Sequence, residues 1–243
     1  MIETHVDIVT TDGSMGTFIA HPDSGPRPVI LFLMDAPGKR EELHDMVRRL
    51  ASAGYYVILS NLYYRTVPQF NVFETGDRDR MFELMNSLTS ELVVNDADAM
   101  LAFAQKDPLA DTTKVGVVGY CMSGPFSLMV AAGIPDRVKA AASMYGVRLA
   151  VDAPDSPHRH LPQIQGEVYV GCAEVDHWAP PEMVADFSEA LDAAKTSSAI
   201  TGRVEWYPGT EHGFGFPQRP AYNRDAAERH WSRLHDLFRR TLL

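Results

Sequence analysis

The chain has 243 residues and a formal charge of −10, from 22 basic and 32 acidic side chains, a length that suits one large α/β domain or two small ones. With 45% apolar and 22% charged residues it has a globular rather than a disordered composition, and its acidity argues against nucleic acid or an anionic membrane as partner. No apolar run approaches the ~18 residues of a membrane span, and the polar start from Met1 to Asp7 has no signal-peptide pattern, so a cytoplasmic protein is expected.

No repeat and no Gly/Ser/Pro-rich linker divides the sequence, so residues 1–243 are expected to form a single domain. His5–Val9 and Met15–Ala20 alternate in polarity and meet at Asp12-Gly13, a hairpin signal. Val29–Met34 is continuously apolar, as in a strand buried on both faces. A helix begins near Glu41, with Met46, Val47, Leu50 and Ala51 on one face and Gly54 closing it. Tyr56–Leu59 is the next strand, and Asn61–Asp77 is a long, aromatic loop of the kind that carries function. Helical character runs from Arg78 to Gln105, broken near Ser87–Ser90. Strand Val115–Val118, helix Gly124–Ala132 and strand Ala140–Tyr145 follow, then a proline-rich loop over Asp152–Pro162. Strand Val168–Gly171, a helical stripe from Met183 to Leu191, strand Val204–Tyr207 and a closing helix marked by Ala227, Trp231, Leu234 and Phe238 complete the chain. The pattern predicts an α/β fold: a mostly parallel sheet with an N-terminal antiparallel hairpin and helices on both faces. In such sheets the chemistry sits in loops at the carboxyl ends of the strands.

The segment Val115-Gly116-Val117-Val118-Gly119-Tyr120-Cys121-Met122-Ser123-Gly124 passes from strand directly into helix. Residues 119 to 124 have the glycine spacing of a phosphate loop, but Pro125 and Phe126 stand where lysine and a hydroxyl residue are needed. A dinucleotide turn fails at Cys121, and the next strand ends in Tyr145-Gly146 without a ribose-binding acid. A nucleophile elbow needs a nucleophile between small residues, and Cys121 lies between Gly119 and Ser123. The helix start would lower the thiol pKa and hold a developing oxyanion. The remaining reading is a plain glycine-rich turn with an inert cysteine.

A thiol nucleophile needs a base, and the base needs an orienting acid. Asp176 follows strand Val168–Gly171, and His212 follows strand Val204–Tyr207. Singly, Asp176 could cap a helix and His212 could be an ordinary loop histidine. Together they stand in the nucleophile–acid–histidine order of α/β-hydrolases.

At these residues the sequence resembles the dienelactone hydrolase (carboxymethylenebutenolidase) family of α/β-hydrolases along nearly its whole length. The matching pieces are Gly119-Tyr120-Cys121 with Met122, the Asp176 segment closed by Pro180, and Glu211-His212-Gly213-Phe214. Asn61-Leu62-Tyr63 and the C-terminal Tyr222, Ala226-Ala227 and Trp231 are similar to the family as well. The resemblance implies Cys121 as nucleophile, His212 as base, Asp176 as its orienting acid, and the backbone N–H groups of Met122 and Ala36 as oxyanion donors. It implies no cofactor.

Three positions depart from the family. Its glutamate after the third strand, which contacts the resting cysteine, is Asp35 here and is expected to modulate the thiol. Its substrate-carboxylate arginine, four residues past the histidine, aligns with Phe216, which predicts a preference for uncharged esters; Arg219 is the nearest arginine downstream. The second arginine of that clamp corresponds to Arg78 or Arg80. Tyr63, Tyr64, Phe70 and Phe73 are candidates for an apolar ester pocket or for packing on the core.

His158-Arg159-His160 with His177 lacks a third ligand at a recognised spacing, so no metal is expected. The two cysteines make neither a disulfide framework nor a zinc motif, and Cys172, at a buried strand end, reads as a core residue. The expected protein is therefore a hydrolase of a small ester or lactone with a Cys-His-Asp triad, without metal, nucleic acid or membrane, working as a monomer or homodimer. The alternative is a binding or sensor protein on the same fold.

Overall fold

In the computed structural model, which describes residues 1–243, strands β1 (Ile2–Thr10) and β2 (Gly13–His21) pair antiparallel, with Thr10 opposite Gly13. The turn is thus Thr11-Asp12, one residue earlier than the Asp-Gly signal suggests. β2 also runs antiparallel to β4 (Tyr56–Ser60). From there β3 (Arg27–Leu33), β5 (Ala110–Tyr120), β6 (Val138–Met144), β7 (Glu167–Val175) and β8 (Thr201–Glu211) are all parallel to β4. Their order in the single eight-stranded sheet is β1-β2-β4-β3-β5-β6-β7-β8.

The central strands are continuously apolar because helices cover both faces. Helix α1 (Glu41–Ser52) buries Leu43, Met46, Val47, Leu50 and Ala51 and packs on β2 and β4. The last helix, Arg224–Leu242, buries a stripe that includes Ala227, Trp231, Leu234 and Phe238 against β5, β6 and β7. It shares a face with α1, to which the Arg49–Glu228 ion pair ties it. Phe238 is fully buried, so its truncation to Ala is expected to cost about 3–5 kcal/mol.

The short helix α2 (Val72–Thr75) lies inside the aromatic loop, capped by Asn71. The helical stretch after it divides into α3 (Arg78–Asn86) and α4 (Ser90–Ala104), each started by a side-chain cap, Asp77 on Arg80 N–H and Thr89 on Leu92 N–H. Helix α5 (Ser123–Gly133) packs against α4 and on β5 and β6. Helix α6 (Pro181–Ser197) packs on β8 and on two 3-10 turns within 157–163, which α5 also touches, and the last helix is α7. No helix is long and apolar enough to cross a membrane.

Register decides where the chemistry falls. Leu33 is opposite Gly119, Tyr120 opposite Met144, Met144 opposite Gly171, and Val175 opposite Glu211. The loops beginning at Asp35, Cys121, Tyr145, Asp176 and His212 therefore rise from one end of the sheet.

Candidate active site

Cys121 is the hinge between β5 and α5, with φ of 56°, a left-handed conformation that costs a non-glycine residue roughly 1–2 kcal/mol. The surrounding contacts hold it there. Its N–H donates to Met144 O at 3.0 Å, and its carbonyl accepts from Gly124 N–H at 3.1 Å and Val147 N–H at 3.2 Å. The buried Ser123 hydroxyl accepts from Tyr120 N–H and donates to Leu33 O and Tyr120 O. Two glycines permit the crowding: a Cβ on Gly119 would lie 2.0 Å from Ser123 O, and one on Gly124 2.5 Å from Gly146 Cα. The turn presents a partly exposed thiol at the start of a helix. The amides of Met122 and Ala36, which lie beside it in the loops after β5 and β3, donate to no acceptor in the protein.

Asp176 and His212 each follow the β7–β8 pair Val175–Glu211 by one residue, so register alone makes them neighbours. His212 Nδ1 lies 2.7 Å from Asp176 Oδ2. The other carboxylate oxygen, Oδ1, accepts from the N–H groups of Trp178 and Ala179 at 2.9 and 3.2 Å, which fixes the side chain and leaves Oδ2 for the ring. The second ring nitrogen, Nε2, is buried with no hydrogen-bond partner, and Cys121 lies near enough to bias the ring's charge. Burial opposes a proton on His212, but the Asp176 hydrogen bond and the neighbouring Cys121 sulfur outweigh it and raise the pKa to about 9. Tyr145 packs edge-on against the His212 ring at 5.2 Å between centroids.

Cys121, His212 and Ala36 open on a cavity of about 360 Å³. Val72, Phe73, Met81, Phe82 and Trp178 give it apolar walls, and Phe73 and Trp178 are exposed at its mouth. Arg78, Arg148 and Arg219 also line it, and no Asp or Glu does. In a chain of net charge −10 that is a local reversal of sign. Arg78 and Arg148 are exposed and have no ion-pair partner, whereas Arg219 is bonded to Asp35.

Several expected residues occupy other places. Phe216 is fully buried and absent from the cavity wall; it packs on Tyr120 and Tyr145 and carries the Arg219 guanidinium on its ring at 4.5 Å. The expectation of an aromatic surface facing the substrate is corrected accordingly: the loop folds back so that Arg219, three residues on, reaches the cavity. Tyr63 is buried beneath the wall, its hydroxyl donating to Ala36 O at 2.9 Å and lying 3.2 Å from Met122 Sδ. Tyr64 lies away from the cavity and bonds Asp96 and Thr10. Phe70 packs on the core while Phe73 lines the cavity. Arg80 pairs with Glu83 on α3, so the cavity's arginine from this segment is Arg78. Asp35, expected to touch the thiol, directs its hydrogen bonds to Arg40 and Arg219 instead, because both guanidiniums are within reach of its buried carboxylate.

His158 bonds Ser156 and His160 lies near Gln163, while His177 sits apart at the cavity beside Trp178. Cys172 is buried, and burial pushes its thiol up to about 12. Sequence reasoning did not select Arg148, Trp178, Met81 or Phe82. Position offered the only signal for the first two, which lie in loops after β6 and β7.

The dienelactone hydrolase family profile matches residues 15–242. A Synechocystis protein provisionally named a carboxymethylenebutenolidase is 30% identical over 98% of this chain and 97% of its own length. The carboxymethylenebutenolidase of Pseudomonas putida is 26% identical over 93% of this chain and 92% of its own. A crystal structure of a provisionally named dienelactone hydrolase from Klebsiella pneumoniae superposes with a TM-score of 0.88 at 26% identity, covering 98% of both chains. The sheet and its flanking helices form the α/β-hydrolase fold.

Proposed function

The chain belongs to the dienelactone hydrolase family, and we propose that it hydrolyses a carboxylate-bearing ester or lactone through Cys121, His212 and Asp176. The observation that carries this reading is the Asp176–His212 pair beside Cys121, at a cavity with three arginines and no acid.

The proposed cycle follows from the charges. With a pKa near 9, His212 carries a proton over the neutral range, which suits a thiolate partner and a general acid. Cys121 Sγ attacks the carbonyl carbon, and the carbonyl electron pair moves to oxygen. Met122 N–H and Ala36 N–H receive that oxyanion. As the C–O bond breaks, His212 Nε2 gives its proton to the leaving oxygen, which in a lactone stays tethered. The thioester has no charge on sulfur, so the contribution of Cys121 that raised the histidine pKa is gone. The imidazole is then a competent base for water. Water adds to the thioester, its proton goes to Nε2, and the C–S bond breaks to restore the thiolate.

Arg78, Arg148 and Arg219 supply the attraction for a substrate carboxylate, since an ion entering this cavity exchanges hydration for charge-assisted hydrogen bonds. A preference for neutral esters, expected from Phe216, is therefore replaced by its opposite. The test compares kcat/KM for an ester bearing a terminal carboxylate with its neutral isostere, in the wild type and in Arg78→Met. The wild type should favour the anion, and Arg78→Met should lower that preference about tenfold, the equivalent of one charged hydrogen bond of ~1.5 kcal/mol. A wild type that favours the neutral ester would overturn the substrate class.

A further inference from the structure

A second cavity, of about 290 Å³, lies beside the first and shares Met85, Val147 and Arg148 with it. Met122, the residue after the proposed nucleophile, lines this second space, together with Leu88, Phe126, Val151 and Pro157. His212, His177, Trp178 and Arg219 all line the first cavity and are absent from the second. The turn at Cys121-Met122 thus stands between two spaces of different chemistry. The first holds the histidines and three arginines; the second shares only Arg148 of these and adds Leu88, Phe126, Val151 and Pro157, with Asp155 in its wall accepting a 3.4 Å hydrogen bond from Ser90.

We infer that the second cavity is an acyl-binding site that takes an apolar chain from the carbonyl side of the substrate. The inference rests on the proposed Cys121–His212 chemistry for its direction. The leaving oxygen must meet His212 Nε2, so the alcohol portion occupies the space where His212 lies. The acyl portion, on the other substituent of the attacked carbon, points away from His212, past Met122. Asp155 lines only the second cavity and Arg148 stands on the wall the two share, so the arm that passes Arg148 is uncharged, and the anionic group remains with Arg78, Arg148 and Arg219 on the first-cavity side. Met85, Val147 and Arg148 form the shared wall over which the chain passes.

Binding of straight-chain carboxylates from butanoate to octanoate, measured by calorimetry on the intact protein, tests this without requiring turnover. The dissociation constant should fall about fourfold per methylene, equivalent to ~0.8 kcal/mol for each buried CH₂. Val151→Trp, at an exposed position of the wall, and Leu88→Trp, at another lining position, should each reduce the octanoate-to-butanoate affinity ratio tenfold or more. Circular dichroism establishes that each variant is folded, and either folded variant suffices. A flat series in the wild type would overturn the inference. So would an undiminished slope in the folded variants, because the chain would then lie in the first cavity. Failure of the catalytic reading is distinguishable: Cys121→Ala with full esterase activity would refute that reading whatever the binding slope.

Discussion

Arg219 donates to Asp35 and thereby joins the loop that follows His212 to the loop that follows β3. Arg40 lies on the other side of the same carboxylate, with Nη1 at 2.5 Å from Oδ1, and also bonds Glu42 at 2.6 Å. Glu42 in turn accepts from Gln218 N–H. Two carboxylates and two guanidiniums thus form a closed network beneath the cavity. Asp35 serves that network by holding Arg219, one of the cavity's three arginines, in place.

Asp35→Asn breaks a buried pairing, leaves Arg219 without a carboxylate and leaves Arg40 with Glu42 alone, so unfolding free energy should fall by about 3–5 kcal/mol. The pH profile of Cys121 alkylation should keep its shape, because the carboxylate bonds arginines rather than the thiol. Denaturant titration and iodoacetamide kinetics on the same preparation check both halves. A moved alkylation profile would restore Asp35 as a modulator of the thiol.

Tyr63 touches both residues whose amides would hold the oxyanion, through Ala36 O and Met122 Sδ. Tyr63→Phe should lower kcat about fivefold, the equivalent of one hydrogen bond of ~1 kcal/mol, while KM changes little because the hydroxyl is outside the cavity wall. A rise in KM at constant kcat would instead make Tyr63 a substrate contact.

The left-handed backbone at Cys121 predicts a difference between two variants that lack the thiol. Glycine adopts this conformation without strain, so Cys121→Gly should be about 1 kcal/mol more stable than Cys121→Ala, or roughly 2–4 °C in melting temperature for a chain of this size. Equal melting temperatures would mean that the turn is not strained.

His212 gives stability a pH dependence of known sign. Its folded pKa of about 9 lies above the unstructured value of 6.5, so the protonated ring stabilises the fold fully below pH 6.5. That contribution is lost as pH rises through 9. The wild type minus His212→Gln difference in unfolding free energy should therefore decline between these values. In the proposed cycle acylation uses the same proton, and it should then show a basic limb near pH 9, displaced downward in Asp176→Asn. A difference that is flat across this range would contradict the Asp176–His212 coupling.

The sheet was legible because its inner strands are apolar runs, but their ends were not. β5 begins at Ala110, five residues before Val115, in a polar stretch that pairs with Arg27 and Pro28 ahead of a register shift. β8 continues past Pro208-Gly209, a dipeptide that reads as a turn, because Glu174 accepts Gly209 N–H within a local irregularity. Cys121, Asp176 and His212 stood out because each follows directly on a strand. The cavity residues did not, since they depend on how loops fold back. Phe216 N–H bonds Gly213 O and Arg219 N–H bonds Phe216 O, and those successive turns exchange the places of the ring and the cation. No spacing rule reports that exchange.

The proposed cycle puts the acyl group on Cys121. Acid quenching within the first turnovers of an activated ester, followed by intact-mass and peptide analysis, measures it directly. One acyl adduct is expected, on the peptide containing Cys121, released by hydroxylamine and absent from Cys121→Ala together with turnover. An adduct on another residue, or undiminished hydrolysis by Cys121→Ala, would contradict it.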